Sequence, residues 1–286
     1  MWKNATFVWS SARRVPILFD SGKLVAVNLS DLAAKGATPA AALLSLALSG
    51  DDIWDMSFLD GIEAACESYG LALVGGDTIA LPDGAPRVFG LTAIGRAGET
   101  VPLRRGGKDG DALWLVGTLG DSAAGLALLE DDAEATGVLV DVYRRPVPLL
   151  AAGQALAPHA HAMKDVSDGL LIDTMRLAEA SGLSASIDLD ALPLSRAFIA
   201  ERSADAEARM FAATGGDDYA LLAALSPEAD PLRLSLPSGT RIVRIGTLSA
   251  EGPLLSLLSG GNPVPLPERL GHEHRSNPAS PVADRD

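Results

Sequence analysis

The chain has 286 residues, 48% of them hydrophobic, with a mean hydropathy of +0.20; it is long and apolar enough for two packed domains, which excludes a disordered chain. With 37 acidic against 23 basic residues the formal charge is −14, so no nucleic-acid or anionic-membrane partner is expected and any phosphate must be bound locally. A single cysteine, Cys66, rules out an internal disulfide and a thiolate metal centre and suits a reducing compartment.

Residues 1 to 20 carry Trp2, Trp9, Arg13, Arg14 and Pro16 without an amphipathic period and stand apart as an atypical segment. From Gly22 the pattern settles into a helix from about Leu24 to Lys35, an apolar strand from Ala40 to Leu48, and a helix opened by Asp51 or Asp52 and closed near Gly70. That strand is the longest apolar run and falls far short of the ~20 residues that cross a bilayer. No apolar segment followed by a cleavage site opens the chain, so a soluble, cytoplasmic protein is expected. Strands follow at Leu71 to Val74 and Val88 to Ile94.

The turn-rich stretch 104–111 then leads into a strand, Ala112 to Val116, and through the glycine-containing turn 117–122 into an alanine- and leucine-rich helix. Further helices are predicted around Pro146 to Leu156 and Leu170 to Ala180, with strands near Ala185 to Leu189, Tyr219 to Ala223 and Arg241 to Ile245. Mixed elements in both halves indicate an α/β (α+β) architecture. The composition shift near residue 100 divides it into units at 21–100 and 101–274, and the proline- and serine-containing tail 275–286 is expected to be disordered.

The chemistry-bearing residues are aspartates set in small-residue turns: Asp31 in NLSDLAAKGA, Asp77 in GGDT, Asp165 and Asp168 in DVSDGL, and Asp217 with Asp218 in GGDDYALL. Carboxylates that share one cleft repel unless cations neutralise them, so divalent metal and phosphate are the natural guests. Each also has a plainer reading. Asp31 can solvate or cap a short helix, Asp77 can belong to a tight turn, Asp168 can be the N-cap of the helix from Leu170, and Asp217 can sit in an acidic turn. Asp165 and Asp168, three residues apart around Ser167 at a strand-to-helix junction, can reach one metal–phosphate assembly, with Ser167 donating to a phosphate oxygen. The turn 117–122 reads equally as an anion-binding helix entry or a structural glycine turn.

Neither a P-loop nor a protein-kinase motif set is present; Gly106-Gly107-Lys108 is followed by aspartate. The four histidines fall in two H-x-H pairs, His159 with His161 and His272 with His274, and read better as exposed loop residues than as a zinc site.

Taken in order, NLSDLAAKGA, GGDT, the stretch from LRRGGKDGD to GTLGDSAAGL, DVSDGL and GGDDYALL resemble the thiamine-monophosphate kinase family of the aminoimidazole-ribonucleotide-synthetase-like superfamily, across roughly residues 21 to 274. The resemblance implies the two-domain synthetase-like fold, with an incomplete N-terminal domain, and the family's features are expected with it: a homodimer, ATP as co-substrate and Mg²⁺ as cofactor. It implies transfer of the γ-phosphoryl of ATP onto thiamine monophosphate in a magnesium-rich site between the domains. No catalytic side chain is implied, because the acceptor phosphate, with a second pKa of about 6, is already anionic at neutral pH. What the reaction needs is charge neutralisation between two phosphate groups.

By motif position the resemblance assigns Asp31, Asp77, Asp165 and Asp168 to metal, and Gly76, Asp77, Arg104 and Ser167 to ATP. It assigns Asp217 and His272 to the thiamine substrate, although the family usually has glutamate at the first position and an aromatic ring at the second. Family members also carry a G-D-D-A turn and a T-D strand end upstream of NLSD, and nothing in residues 1 to 20 matches them. The alternative expectation is therefore a truncated or mis-started, catalytically impaired homologue that only binds nucleotide or a partner.

Overall fold

A computed structural model of the chain describes residues 2–11, 17–48, 50–80, 82 and 87–273. The tail 275–286 and His274 lie outside the described residues.

The N-terminal unit comprises β1 (Trp2–Ser11), α1 (Ile17–Ala33), β2 (Thr38–Leu48), α2 (Asp52–Ser68), β3 (Ala72–Ala80) and β4 (Arg87–Arg96). Its sheet has the order β1-β4-β2-β3, with β2 and β3 parallel across the α2 crossover and the other pairs antiparallel. The atypical N-terminal stretch thus supplies an edge strand, β1. Alternation sets the two faces. Ala42, Leu44 and Leu46 of β2, with Phe89, Leu91 and Ala93 of β4, are buried, while Leu43 and Val88 are exposed. The buried face packs under α1 and α2 on Leu24, Leu29, Phe58 and Ile62, and Phe58 stacks on Phe89 with centroids 4.5 Å apart.

The α2 helix starts as expected, with the Asp51 carboxylate accepting from the Trp54 N–H at 3.1 Å. The predicted end of β3 at Val74 is corrected: the strand runs on through Gly75, Gly76 and Asp77 to Ala80. Gly76 has φ 155°, and a Cβ there would run into the Leu44 carbonyl, so glycine lets the strand stay paired just after a register shift that leaves Val74 of β3 as the extra residue.

The C-terminal unit comprises β5 (Ala112–Val116), α3 (Asp121–Asp131), α4 (Val138–Arg144), α5 (Leu150–Leu156), β6 (Ala160–Val166), α6 (Leu170–Ser181), β7 (Ser184–Asp188), α7 (Arg196–Arg202), α8 (Ala206–Thr214), β8 (Ala220–Leu225), β9 (Ile242–Ser249), β10 (Leu255–Ser259) and β11 (Asn262–Val264). The sheet order is β11-β10-β7-β9-β5-β8-β6. The helix predicted from Pro146 begins only at Leu150, because Pro146 and Pro148 hold the preceding backbone extended.

Every residue of β8 is buried, and its two faces belong to different cores. Ala220, Leu222 and Ala224 pack with Leu119, Leu171, Phe198 and Ala212, whereas Leu221, Ala223 and Leu225 pack with Leu156, Met163 and, from the end of α1, Ala33 and Ala34. The C-terminal sheet is therefore capped on one face by a helix of the N-terminal unit. Close approach makes this possible: a Cβ on Gly153 in α5 would run into the Ala33 carbonyl. That contact places the last turns of α1 beside the end of β6.

Candidate functional site

At this junction α1 presents Ser30 and Asp31 to Asp165 at the end of β6. The Ser30 hydroxyl donates to Oδ2 of Asp165 at 3.0 Å. Asp31 is pushed up to about 7, first by loss of hydration among its neighbours and next by the like charge of Asp165; Lys35, Lys164 and Arg104 oppose the rise. Asp165 is itself raised by burial, with Lys164 and the Ser30 hydrogen bond pulling the other way. Two carboxylates and an arginine predicted from separate motifs thus share one electrostatic neighbourhood.

Arg104 is held there by its backbone. The Lys35 ammonium donates to the carbonyls of Pro102 (3.4 Å) and Met163 (3.2 Å), tying α1 to the linker and to β6. Met163 N–H donates to the Leu103 carbonyl at 3.3 Å, and the Ser181 hydroxyl donates to the Arg104 carbonyl at 3.2 Å.

The loop after β6 is the meeting point of the remaining motifs. Its Ser167 carbonyl accepts from Asp217 N–H at 2.8 Å, and its Asp168 carbonyl accepts from His272 N–H at 2.7 Å. Asp217 lies at φ 66°, with Lys23 Nζ 2.7 Å from Oδ2 and the Tyr219 hydroxyl donating to Oδ1 at 2.8 Å. Lys23 comes from α1 and also lies 3.6 Å from the Tyr143 ring centroid. Both predicted substrate residues therefore hang from the carbonyls of Ser167 and Asp168.

Three plainer expectations are revised. Asp168 does not cap α6: the N-cap is Gly169, and the Asp168 carboxylate pairs with Arg176. The loop amides of Ser167 and Asp168 donate instead to Oδ2 of Asp173, at 3.0 and 3.1 Å. The turn 117–122 is occupied from within the fold, since both oxygens of Asp218 accept from Gly120 N–H at 3.0 and 2.9 Å; burial raises this carboxyl well above its ordinary range. His161 is not an exposed loop residue but lies on β6, with Nδ1 2.9 Å from Oδ1 of Asp111.

Asp77 and Gly76 stand on the exposed strand β3, where Asp77 accepts from its neighbour Thr78 N–H at 3.0 Å; no described contact joins it to Asp31 or Asp165. Among the described residues no group of three or more histidine, cysteine, aspartate or glutamate side chains surrounds a common point suited to a metal. The pair Asp31 and Asp165 nevertheless suits a hard divalent cation, which takes oxygen ligands and would relieve the repulsion that raises Asp31. Sequence reasoning missed Lys23, Ser30, Lys164, Asp173 and Arg176. Asp173 alone left a trace, as an acidic residue in the first turn of a predicted helix.

The chain matches the AIR synthase related protein N-terminal domain over residues 20–97 and the corresponding C-terminal domain over 108–253. It is 38% identical over 262 residues to a thiamine-monophosphate kinase of Caulobacter vibrioides, covering 88% of this chain and 73% of that protein. It is 37% identical over 266 residues to that of Escherichia coli K12, covering 90% and 80%. The structure of AaThiL complexed with AMPPCP and TMP superposes with a TM-score of 0.81 at 28% identity, over 95% of this chain and 87% of that one.

Proposed function

The chain belongs to the AIR synthase related family and, within it, to the thiamine-monophosphate kinases, and on that premise we propose how its residues divide the work of phosphoryl transfer. It is an ATP-dependent phosphotransferase that phosphorylates thiamine monophosphate to thiamine diphosphate. Asp31 and Asp165, with Asp77 and Asp168, hold Mg²⁺. Gly76, Asp77, Arg104 and Ser167 bind ATP, and Asp217 and His272 face the thiamine end of the acceptor. The observation that carries this reading is the convergence of Asp31 and Asp165 through the Ser30 hydrogen bond.

Magnesium, when bound, supplies charge neutralisation between donor and acceptor phosphates. The protein's own part is to hold the anions in line and to bring no competing base. Arg104 meets ATP phosphate charge with a guanidinium whose planar fork of donors matches phosphate oxygens. The Ser167 hydroxyl is a neutral donor to a phosphate oxygen. The acceptor oxygen is anionic at neutral pH, so no proton has to be removed from it.

On this reading the two units are 21–100, extended at its start by the edge strand β1 and the first residues of α1, and 101–274, with the site at their junction. A homodimer is supported by the open face and edge of the N-terminal sheet, which leave Leu43, Leu48, Leu73, Val74, Ile79 and Val88 exposed. No described helix is long and apolar enough to cross a membrane; with the lone cysteine and the use of ATP, this supports a cytoplasmic enzyme. The test is incubation with ATP, Mg²⁺ and thiamine monophosphate, followed by chromatographic detection of thiamine diphosphate. Nucleotide binding without that product would instead support an impaired homologue.

A further inference from the structure

We propose that Asp173 is a positioning residue that sets the nucleotide and acceptor ends of the site at once by fixing the backbone of Ser167 and Asp168. The side chain is fully buried in the first turn of α6. Four donors converge on its two oxygens: Ser167 N–H (3.0 Å) and Asp168 N–H (3.1 Å) on Oδ2, with Lys164 and, at 3.5 Å, Arg176 on Oδ1. A carboxylate accepts about four such bonds, so this one is saturated. The amides of Ser167 and Asp168 precede the N-cap Gly169 and so lie outside the helix, and Asp173 takes them from within its first turn.

The same two residues are gripped from their other side. The peptide unit joining Ser167 to Asp168 gives its N–H to Asp173 and takes the Asp217 N–H at its carbonyl, the Ser167 N–H also points to Asp173, and the Asp168 carbonyl accepts from His272. Ser167 and Asp168 belong to the proposed ATP and metal set, and Asp217 and His272 to the proposed acceptor set. A shift of this backbone therefore moves both sets together. The Lys164 ammonium, next in sequence to Asp165, is held against Asp173, which keeps a buried cation in place under the acidic pair. This inference rests on the site assignment of the preceding subsection.

Removing one member of a buried ion pair leaves the other unpaired, so Asp173→Asn alone is expected to unsettle the fold. Two double variants separate fold from positioning. Lys164→Met with Asp173→Asn removes the ion pair but keeps an amide oxygen to accept the loop amides; Lys164→Met with Asp173→Leu removes both. They share the loss of Lys164 and differ in the acceptor.

Both should regain the melting temperature lost by Asp173→Asn. The asparagine double should keep Mg²⁺ and ATP half-saturation near the wild-type values. The leucine double should raise the half-saturating Mg²⁺, and the KM for ATP and for thiamine monophosphate, by about tenfold or more, the usual effect of losing an outer-shell partner. Amide hydrogen exchange in 166–169 should quicken only in the leucine double. Equal half-saturation and equal exchange in the two doubles would overturn the proposal. If the wild-type chain failed to turn over thiamine monophosphate, the site assignment would fail on its own, and the exchange comparison would still decide whether Asp173 positions this loop.

Discussion

Ser30 and Asp165 stand 135 positions apart in sequence and meet at 3.0 Å, the serine hydroxyl donating to the aspartate Oδ2. Both are buried, and the bond joins the N-terminal helix α1 to the end of strand β6 in the other unit. Replacing the hydroxyl leaves a buried carboxylate short of a donor. Ser30→Ala should therefore cost about 1 to 3 kcal/mol and weaken Mg²⁺ binding. Denaturant unfolding with and without Mg²⁺ measures both; an unchanged midpoint would show that the bond contributes nothing.

The approach of the two units can be tested without touching a polar group. Gly153→Ala drives a methyl group toward the Ala33 carbonyl, so α5 and α1 must separate. Overpacking of this kind costs about 1 to 3 kcal/mol. Because α1 carries Asp31, turnover should fall more than stability alone explains. Activity at a temperature where the variant is fully folded checks this, and full activity there would uncouple the helix contact from the site.

The carboxyl of Asp31 has an ordinary pKa of 3.8 and is pushed up to about 7 in the fold. Between those values the folded chain holds more protons than the unfolded one, so this group's contribution to stability falls as pH rises from about 4 to 7. Asp165 is raised in the same direction. Without divalent cations the melting temperature of the wild type should drop across this window relative to Asp31→Asn, and saturating Mg²⁺ should reverse the drop at the upper end. A difference between the two proteins that is flat with pH would mean that Asp31 is not strained by its surroundings.

Asp77 lies exposed on β3. Asp77→Asn should change stability by less than about 0.5 kcal/mol, as surface substitutions do, and remove most turnover. An unaltered rate would take Asp77 out of the metal and nucleotide set.

What could be read from the sequence was local. The strand Ala112–Val116 and the Asp51 cap follow from apolar runs and capping chemistry, which act over a few residues. Gly75 and Gly76 misled because glycine pairs usually mark turns, whereas here they let β3 stay paired where a Cβ on Gly76 would run into the Leu44 carbonyl. Asp168 misled because a cap and an ion-pair partner are the same residue type; only the fold shows that Arg176 reaches it. The resemblance assigned Asp31 and Asp165 to metal together with Asp77 and Asp168, but Ser30, Lys23 and Asp173, which hold that site in place, depend on helix packing that no local pattern encodes.

The central claim is that Asp31 and Asp165 together hold a divalent cation beside the nucleotide. Titration of Mn²⁺, as a spectroscopic substitute for Mg²⁺, in the presence of a non-hydrolysable ATP analogue and followed by electron paramagnetic resonance, tests it most directly. The account predicts saturable uptake by the wild type and affinity lowered by about tenfold or more in both Asp31→Asn and Asp165→Asn. Binding curves that superimpose for all three proteins would contradict it.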